Sequence, residues 1–236
     1  MKKSLHFLLI ALLFTAYSCK EDSGLSEAEV VDGLKTALNV GTDSTVKNVS
    51  TTDGYYGDKL IKILLPPEAD VIIDNISYVP GGTQMVDNVI KGINRSAEDA
   101  AKEAKPIFVD AVTNLTITDG MNILKGADDA ATQYLKANTY TQLKGVFKPK
   151  MDASLSKPLF KSTSAKDLYK TLVDAYNSIA PFIGKPNVNY DLTDFVTGKG
   201  LDGLFTKVAA EESKIRKDPL ARVTDILRKV FSTLDK

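Results

Sequence analysis

An all-α fold, a single-domain multi-helix bundle of about nine helices with at most one short two-stranded β element, is predicted by three features of the chain. Apolar residues recur at three- and four-residue spacing along most of its length. Ser or Thr caps and Gly or Pro stops punctuate them at helix-length intervals. No low-complexity linker divides the 236 residues, a size usual for one hydrophobic core. Such a chain buries roughly 70% of its unfolded surface and needs no disulfide or metal to fold.

Ser26, with Glu29 three residues on, makes a capping box ahead of Val30, Val31, Leu34 and Leu38, predicting a helix over residues 26–40. A second helix is expected after Gly41, with Val46 and Val49 inward and Asp53-Gly54 as its end. Residues 59–65 are an apolar run closed by Pro66-Pro67, and because residues before proline avoid the helical conformation the run reads as extended. Residues 68–78 read as a helix burying Val71, Ile72 and Ile76, and Pro80-Gly81-Gly82 reads as a loop.

Val86, Ile90, Ile93, Ala97, Ala101, Ala104 and Phe108 then mark one helical face, whose alanines let a neighbouring backbone approach closely. Pro106 predicts a break near Lys105 and a new helix towards Leu115. Thr118 reads as the N-cap of a short helix stopped by Gly126, and Asp128-Asp129 open the next. Leu143, Val146, Phe147, Met151 and Leu155 are helically spaced despite Pro149. Leu168, Leu172, Val173, Tyr176 and Ile179 mark a helix ended by Pro181. Val188 and Tyr190 alternate as a possible strand partner for residues 59–65. Residues 191–216 and 219–234 read as two final helices. The similar octamers VDGLKTAL (31–38) and LDGLFTKV (201–208) are too short to argue for a repeat.

Residues 1–18, with Lys2, Lys3 and a short apolar run, read as a secretion leader, too short for a membrane span of about 20 residues. Cys19, the only cysteine, follows directly and resembles a bacterial lipoprotein processing site. Residues 1–18 are then the signal peptide, 19–25 a lipidated tether and 26–236 the helical domain. Lys20-Glu21-Asp22 resembles the tag that directs lipoproteins of some Bacteroidetes-type bacteria to the cell surface; a plain soluble tether is the other reading.

Charge and composition exclude several chemistries. Without Lys2 and Lys3 the chain has 28 basic against 30 acidic residues, a net of −2, which argues against nucleic acid. The only histidine, His6, lies in the leader, so the mature chain has neither imidazole nor free thiol. That removes histidine-assisted serine and cysteine nucleophiles and the usual zinc ligand sets. No GxGxxG or phosphate-loop motif is present, and no cofactor is expected.

What chemistry remains must use carboxylates, Lys, Tyr, Arg, Ser or Thr. Asp110, Asp119, Asp128, Asp129 and Gln133 are candidates for an oxygen-ligand cation site or a carboxylate-dependent hydrolase, although helix capping and solvation account for them more simply. Asn94 and Arg95, beside the alanine face with Glu98, are candidates for clamping an anionic ligand; the plainer reading is an ion pair of Arg95 with Glu98 or Asp110. Residues 214–236 carry seven basic and three acidic side chains on an amphipathic pattern, which suits anionic headgroups or, more economically, a docked surface helix. Tyr55, Tyr56, Tyr134, Tyr140 and Phe147 suit either a sugar or peptide surface or the core.

The runs NRSAEDAAKEAKPIFVDAV (94–112), GADDAATQYL (126–135), DLTDFVTGKGLDGLF (191–205), AAEESKIRKDP (209–219) and ARVTDILRKVF (221–231) resemble the bacterial family of domain of unknown function 4197 (DUF4197). The likeness covers nearly all of the chain after the leader, departing from the family at the proline- and glycine-rich residues 80–82. It implies a mostly helical envelope protein and carries over no catalytic residue. The expectation is an outer-membrane lipoprotein of a Gram-negative bacterium, facing periplasm or cell surface, that binds or braces an envelope partner. Its alternatives are a carboxylate-dependent cation-binding protein or hydrolase, and a carrier of a small apolar ligand.

Overall fold

The computed structural model describes residues 24–160, 163–188 and 191–235; the leader, Cys19 and most of the tether lie outside the described residues. Among these, nine α-helices and one two-stranded antiparallel hairpin form an all-α domain.

The Ser26 capping box forms as its spacing predicts. Glu29 N–H donates to Ser26 Oγ at 3.2 Å, and Ser26 N–H donates to Glu29 Oε2 at 3.0 Å. It starts α1 (Glu27–Val49), which runs through Gly41 as one helix instead of two. A glycine inside a helix costs about 1 kcal/mol relative to alanine. Burial of Leu34, Leu38, Val46 and Val49 along one continuous face outweighs that cost.

After α1 the chain turns at Asp53, whose φ is +67°, and crosses residues 62–66 without regular secondary structure. Among the described residues Val188 makes no strand pairing with residues 59–65, and Tyr190, its expected companion, lies outside the described residues. Asparagine side chains take the place of strand partners. Ile63 N–H donates to Asn94 Oδ1 at 2.9 Å and Ile63 C=O accepts from Asn94 Nδ2 at 2.7 Å. Asn177 does the same for Val188, at 2.8 and 2.9 Å. A primary amide offers the same donor and acceptor as a neighbouring peptide, so a ladder is satisfied before it can begin. The hairpin lies elsewhere, as β1 (Pro158–Phe160) and β2 (Thr163–Ser164), with Pro158 opposite Ser164.

The helix expected over residues 68–78 is broken at Asn75 into α2 (Asp70–Asp74) and flanking 3₁₀ turns. Gly81, at φ +70°, leads into α3 (Gly82–Ala101). Next come α4 (Ala104–Thr113) and α5 (Ile117–Lys125). The break between α3 and α4 falls at residues 102–103, slightly before Lys105, because the Pro106 ring excludes the carbonyl four residues back. The cap of α5 is Thr116, not Thr118: Asp119 N–H donates to Thr116 Oγ1 and the Asp119 carboxylate accepts from Thr116 N–H. Gly126 ends it as expected.

Then follow α6 (Ala130–Leu155), continuous through Pro149, α7 (Ala165–Ile179) and α8 (Leu192–Lys217). The last helix is only α9 (Asp225–Phe231), because Arg222 leaves helical geometry to send its side chain back to α8.

At the centre α6 lies against both α3 and α8; α1 packs on α8 and is surrounded by α4, α5 and α9, while α7 covers α3. The alanine face is fully buried at Ala97, Ala100, Ala101 and Ala104. A Cβ placed on Gly200 of α8 would lie 3.7 Å from that of Ala97, so α3 and α8 meet closely there. Phe205 sits between Phe108 (edge-on, 5.8 Å) and Tyr140 (stacked, 6.3 Å), which accounts for Tyr140 as packing.

Candidate functional site

Asn94, Arg95 and Glu98 do come together, on one stretch of α3, but they face the chain itself. Glu98, only 4% exposed, accepts the N–H groups of Tyr55 at 3.1 Å and Tyr56 at 3.2 Å through Oε1. Its Oε2 takes Arg95 Nη1 at 2.6 Å, and Arg95 Nη2 reaches Asp53 Oδ1 at 2.7 Å. Arg95 therefore pairs with Glu98, the structural partner suggested by sequence, and not with Asp110. Tyr55 OH donates to Gly200 C=O at 2.8 Å, and burial pushes its phenol pKa up. Lys207 on α8 holds Asp58 at 2.8 Å. With Asn94 on Ile63, these contacts strap residues 53–66 across α3 and α8.

A second cluster went unrecognised in the sequence. Glu212, on the buried side of α8, accepts from Ala131 N–H (2.9 Å), Thr132 N–H (2.7 Å) and the Thr132 hydroxyl (2.8 Å). It thus caps α6 from another helix, where the first N–H groups have no partner of their own. Arg216, one turn on, pairs with Glu212 at 2.9 Å and donates to the Ile123 and Leu124 carbonyls at the end of α5. Arg222 closes the end of α8 through the Ile215 and Arg216 carbonyls and binds Asp235 with both terminal nitrogens, at 2.6 and 2.7 Å. The available signal was Glu212 and Arg216 at i,i+4, in step with the apolar Val208 and Ile215.

The remaining candidates are dispersed over separate tasks. Asp119 caps α5; Asp128, exposed, pairs with Lys217; Asp129 Oδ2 accepts from Gln133 Nε2 at 2.9 Å; Asp110 is exposed on α4. Asp129 holds the N-cap position of α6 without a side-chain bond to it, since Glu212 already occupies those donors. Among the described residues no group of three His, Cys, Asp or Glu side chains could hold a metal ion. The described C-terminal basic residues are paired as well, among them Lys214 with Glu211, Arg228 with Asp225 and Lys229 with Glu29; Lys236 lies outside the described residues.

Among the open grooves formed by the described residues are three. One of about 640 Å³ is lined by Tyr140, Lys144, Lys148, Asp152 and Lys166. Another of about 780 Å³ lies along α7 at Tyr169, Lys170, Val173 and Asn177. The third, about 370 Å³, runs between residues 60–65 and α8. The apolar space inside the bundle at Leu34, Leu38, Val208 and Phe231 holds only about 10 Å³, at or below the room one water needs.

Removing the Asn94 amide leaves both backbone groups of Ile63 buried without partners, so Asn94→Ala should cost about 2–4 kcal/mol in urea denaturation. Asp128→Asn should cost less than about 0.5 kcal/mol by the same assay, as an exposed pair does. Equal losses would contradict the two assignments.

Acid titration gives a further expectation. Lys229 and Ser26 hold Glu29 down to about 2; Lys207 lowers Asp58, Lys166 and Thr193 lower Asp152, and Arg222 lowers Asp235. A carboxyl depressed by folding stabilises above its unfolded pKa and ceases to as pH falls through its folded one. The urea midpoint should therefore stay level from about pH 8 to 5 and decline between about pH 4 and 2. A decline confined to the range above pH 5 would contradict it.

A search of curated proteins and one of solved structures each found no match. A family model described as "Protein of unknown function (DUF4197)" matches residues 24–232, and the chain belongs to that family.

Proposed function

We propose that the protein is a lipid-anchored cell-envelope protein whose helical domain serves as a non-catalytic binding or interaction module. The observation that carries this reading is the employment of the buried charges. Glu98, Glu212, Arg216 and Arg222 all bind backbone ends or strap the chain to itself, so none is held ready for a substrate. Enzymes keep titratable groups poised in clefts; here the buried ones serve the architecture. The anchoring part rests on the leader pattern and on Cys19 directly after it. No helix among the described residues is long and apolar enough to cross a membrane, and a lipid on Cys19 supplies attachment without one. An outer-membrane position, facing periplasm or surface, follows from the same reading.

One preparation tests both parts. Wild-type protein, gently solubilised from its own membranes, should carry acyl chains and a co-purifying envelope protein in native mass spectrometry. Cys19→Ala should lose acyl labelling and appear in the soluble fraction. Acylation that survives Cys19→Ala defeats the anchor. A stoichiometric metal or small molecule in place of a protein partner defeats the module reading in favour of a cation-dependent enzyme or a carrier.

A further inference from the structure

The strap that Asn94 and Glu98 hold against the bundle has two edges, and only one is engaged. In an extended segment the N–H and C=O groups of successive residues point to opposite sides. Ile63 turns both of its groups towards Asn94 on α3. Leu64 and the Lys62 carbonyl face the other way, and neither Leu64 N–H, Leu64 C=O nor Lys62 C=O has a hydrogen-bond partner among the described residues. Side chains alternate correspondingly: Ile61, Ile63 and Leu65 are buried, while Leu60 and Leu64 are 69% and 59% exposed.

This open edge forms one wall of the 370 Å³ groove, and Phe195, Lys199, Asp202 and Thr206 of α8 form the other. Charge around the groove is unbalanced. Asp202, the carboxylate of its lining, is already paired with Lys136. Its lysines, Lys62 and Lys199, form no ion pair among the described residues; Lys62 lies over the Tyr56 ring at 4.0 Å and Lys199 near that of Phe195.

We infer that the groove is a docking site for an extended, acidic peptide segment of a partner protein, which adds as a strand to the Lys62–Leu64 edge. Main-chain bonds to Leu64 and Lys62 would fix the peptide's direction, Leu60 and Leu64 would receive its apolar side chains, and Lys62 and Lys199 would select acidic ones. The inference rests on the interaction-module reading and gives that module a site and a partner chemistry.

The test is a titration of the isotope-labelled protein with a short synthetic peptide alternating glutamate and valine, followed by amide NMR. Saturable shifts are expected at residues 60–65 and along 195–206. Methylating alternate backbone nitrogens of the peptide, or exchanging its glutamates for lysines, should each weaken binding by about tenfold or more. Lys62→Glu combined with Lys199→Glu, both side chains at the groove rim, should reverse the preference between acidic and basic peptides. Absence of saturable shifts, shifts located elsewhere, or indifference to both peptide changes overturns the site. Shifts at the same residues that grow with protein concentration alone would assign the edge to a second copy of the chain and likewise overturn it. If wild-type protein holds a stoichiometric partner while the peptide experiment fails, this site falls and the module reading stands. If no partner is held, the module reading fails independently.

Discussion

The Glu212–Arg216 pair on α8 is the constraint around which the bundle closes. One carboxylate terminates α6 at its start and one guanidinium terminates α5 at its end, so the α5–α6 corner is fixed by a helix some eighty residues further along the chain. Burying two charges is costly, and the pair is tolerated only because its hydrogen-bonding positions are met by backbone groups that would otherwise be orphaned. Arg222 extends the arrangement by closing α8 itself, and its attachment to Asp235 ties down the C-terminal turn. Ends of helices α5, α6 and α8 thus meet at one buried polar knot.

The α3 strap obeys the same logic. Asn94 and Glu98 satisfy the backbone groups that the turns of a long irregular segment leave over, those of Tyr55, Tyr56 and Ile63, and Gly203 on α8 leaves room for Tyr55 and Ile61 to lie against it. A segment fixed along one edge by side chains keeps its other edge open, as the edge strand of a sheet does. The feature read as a recognition edge is therefore a by-product of how the core solved its polar accounting.

Much of this fold was legible in the sequence because helical periodicity and caps are local. The Ser26 box, the Gly126 stop, the alanine face and the all-α class follow from short-range spacing. Where the reading failed, the deciding partner was distant in sequence. Gly41 looks like a stop until the apolar face continuing through Val46 and Val49 is weighed against it. Ile63 and Val188 look like members of paired strands until Asn94 and Asn177 are seen to supply their hydrogen bonds. Asp128 and Asp129 look like the caps of α6 because nothing local reveals Glu212. The pairing of Arg95 with Glu98 was legible at i,i+3, whereas its role in holding Tyr55 and Tyr56 required the chain to return across α3.

The central claim is that buried polar side chains hold the irregular segment and the helix ends in place. Amide hydrogen exchange of the unliganded protein measures this residue by residue. The account predicts that the Tyr55, Tyr56, Ile63, Ala131 and Thr132 amides, each bonded to a side chain, exchange only on global unfolding, while Leu64 exchanges at the rate of exposed chain. Exchange of Tyr55, Tyr56 and Ile63 as fast as that of Leu64 would contradict it.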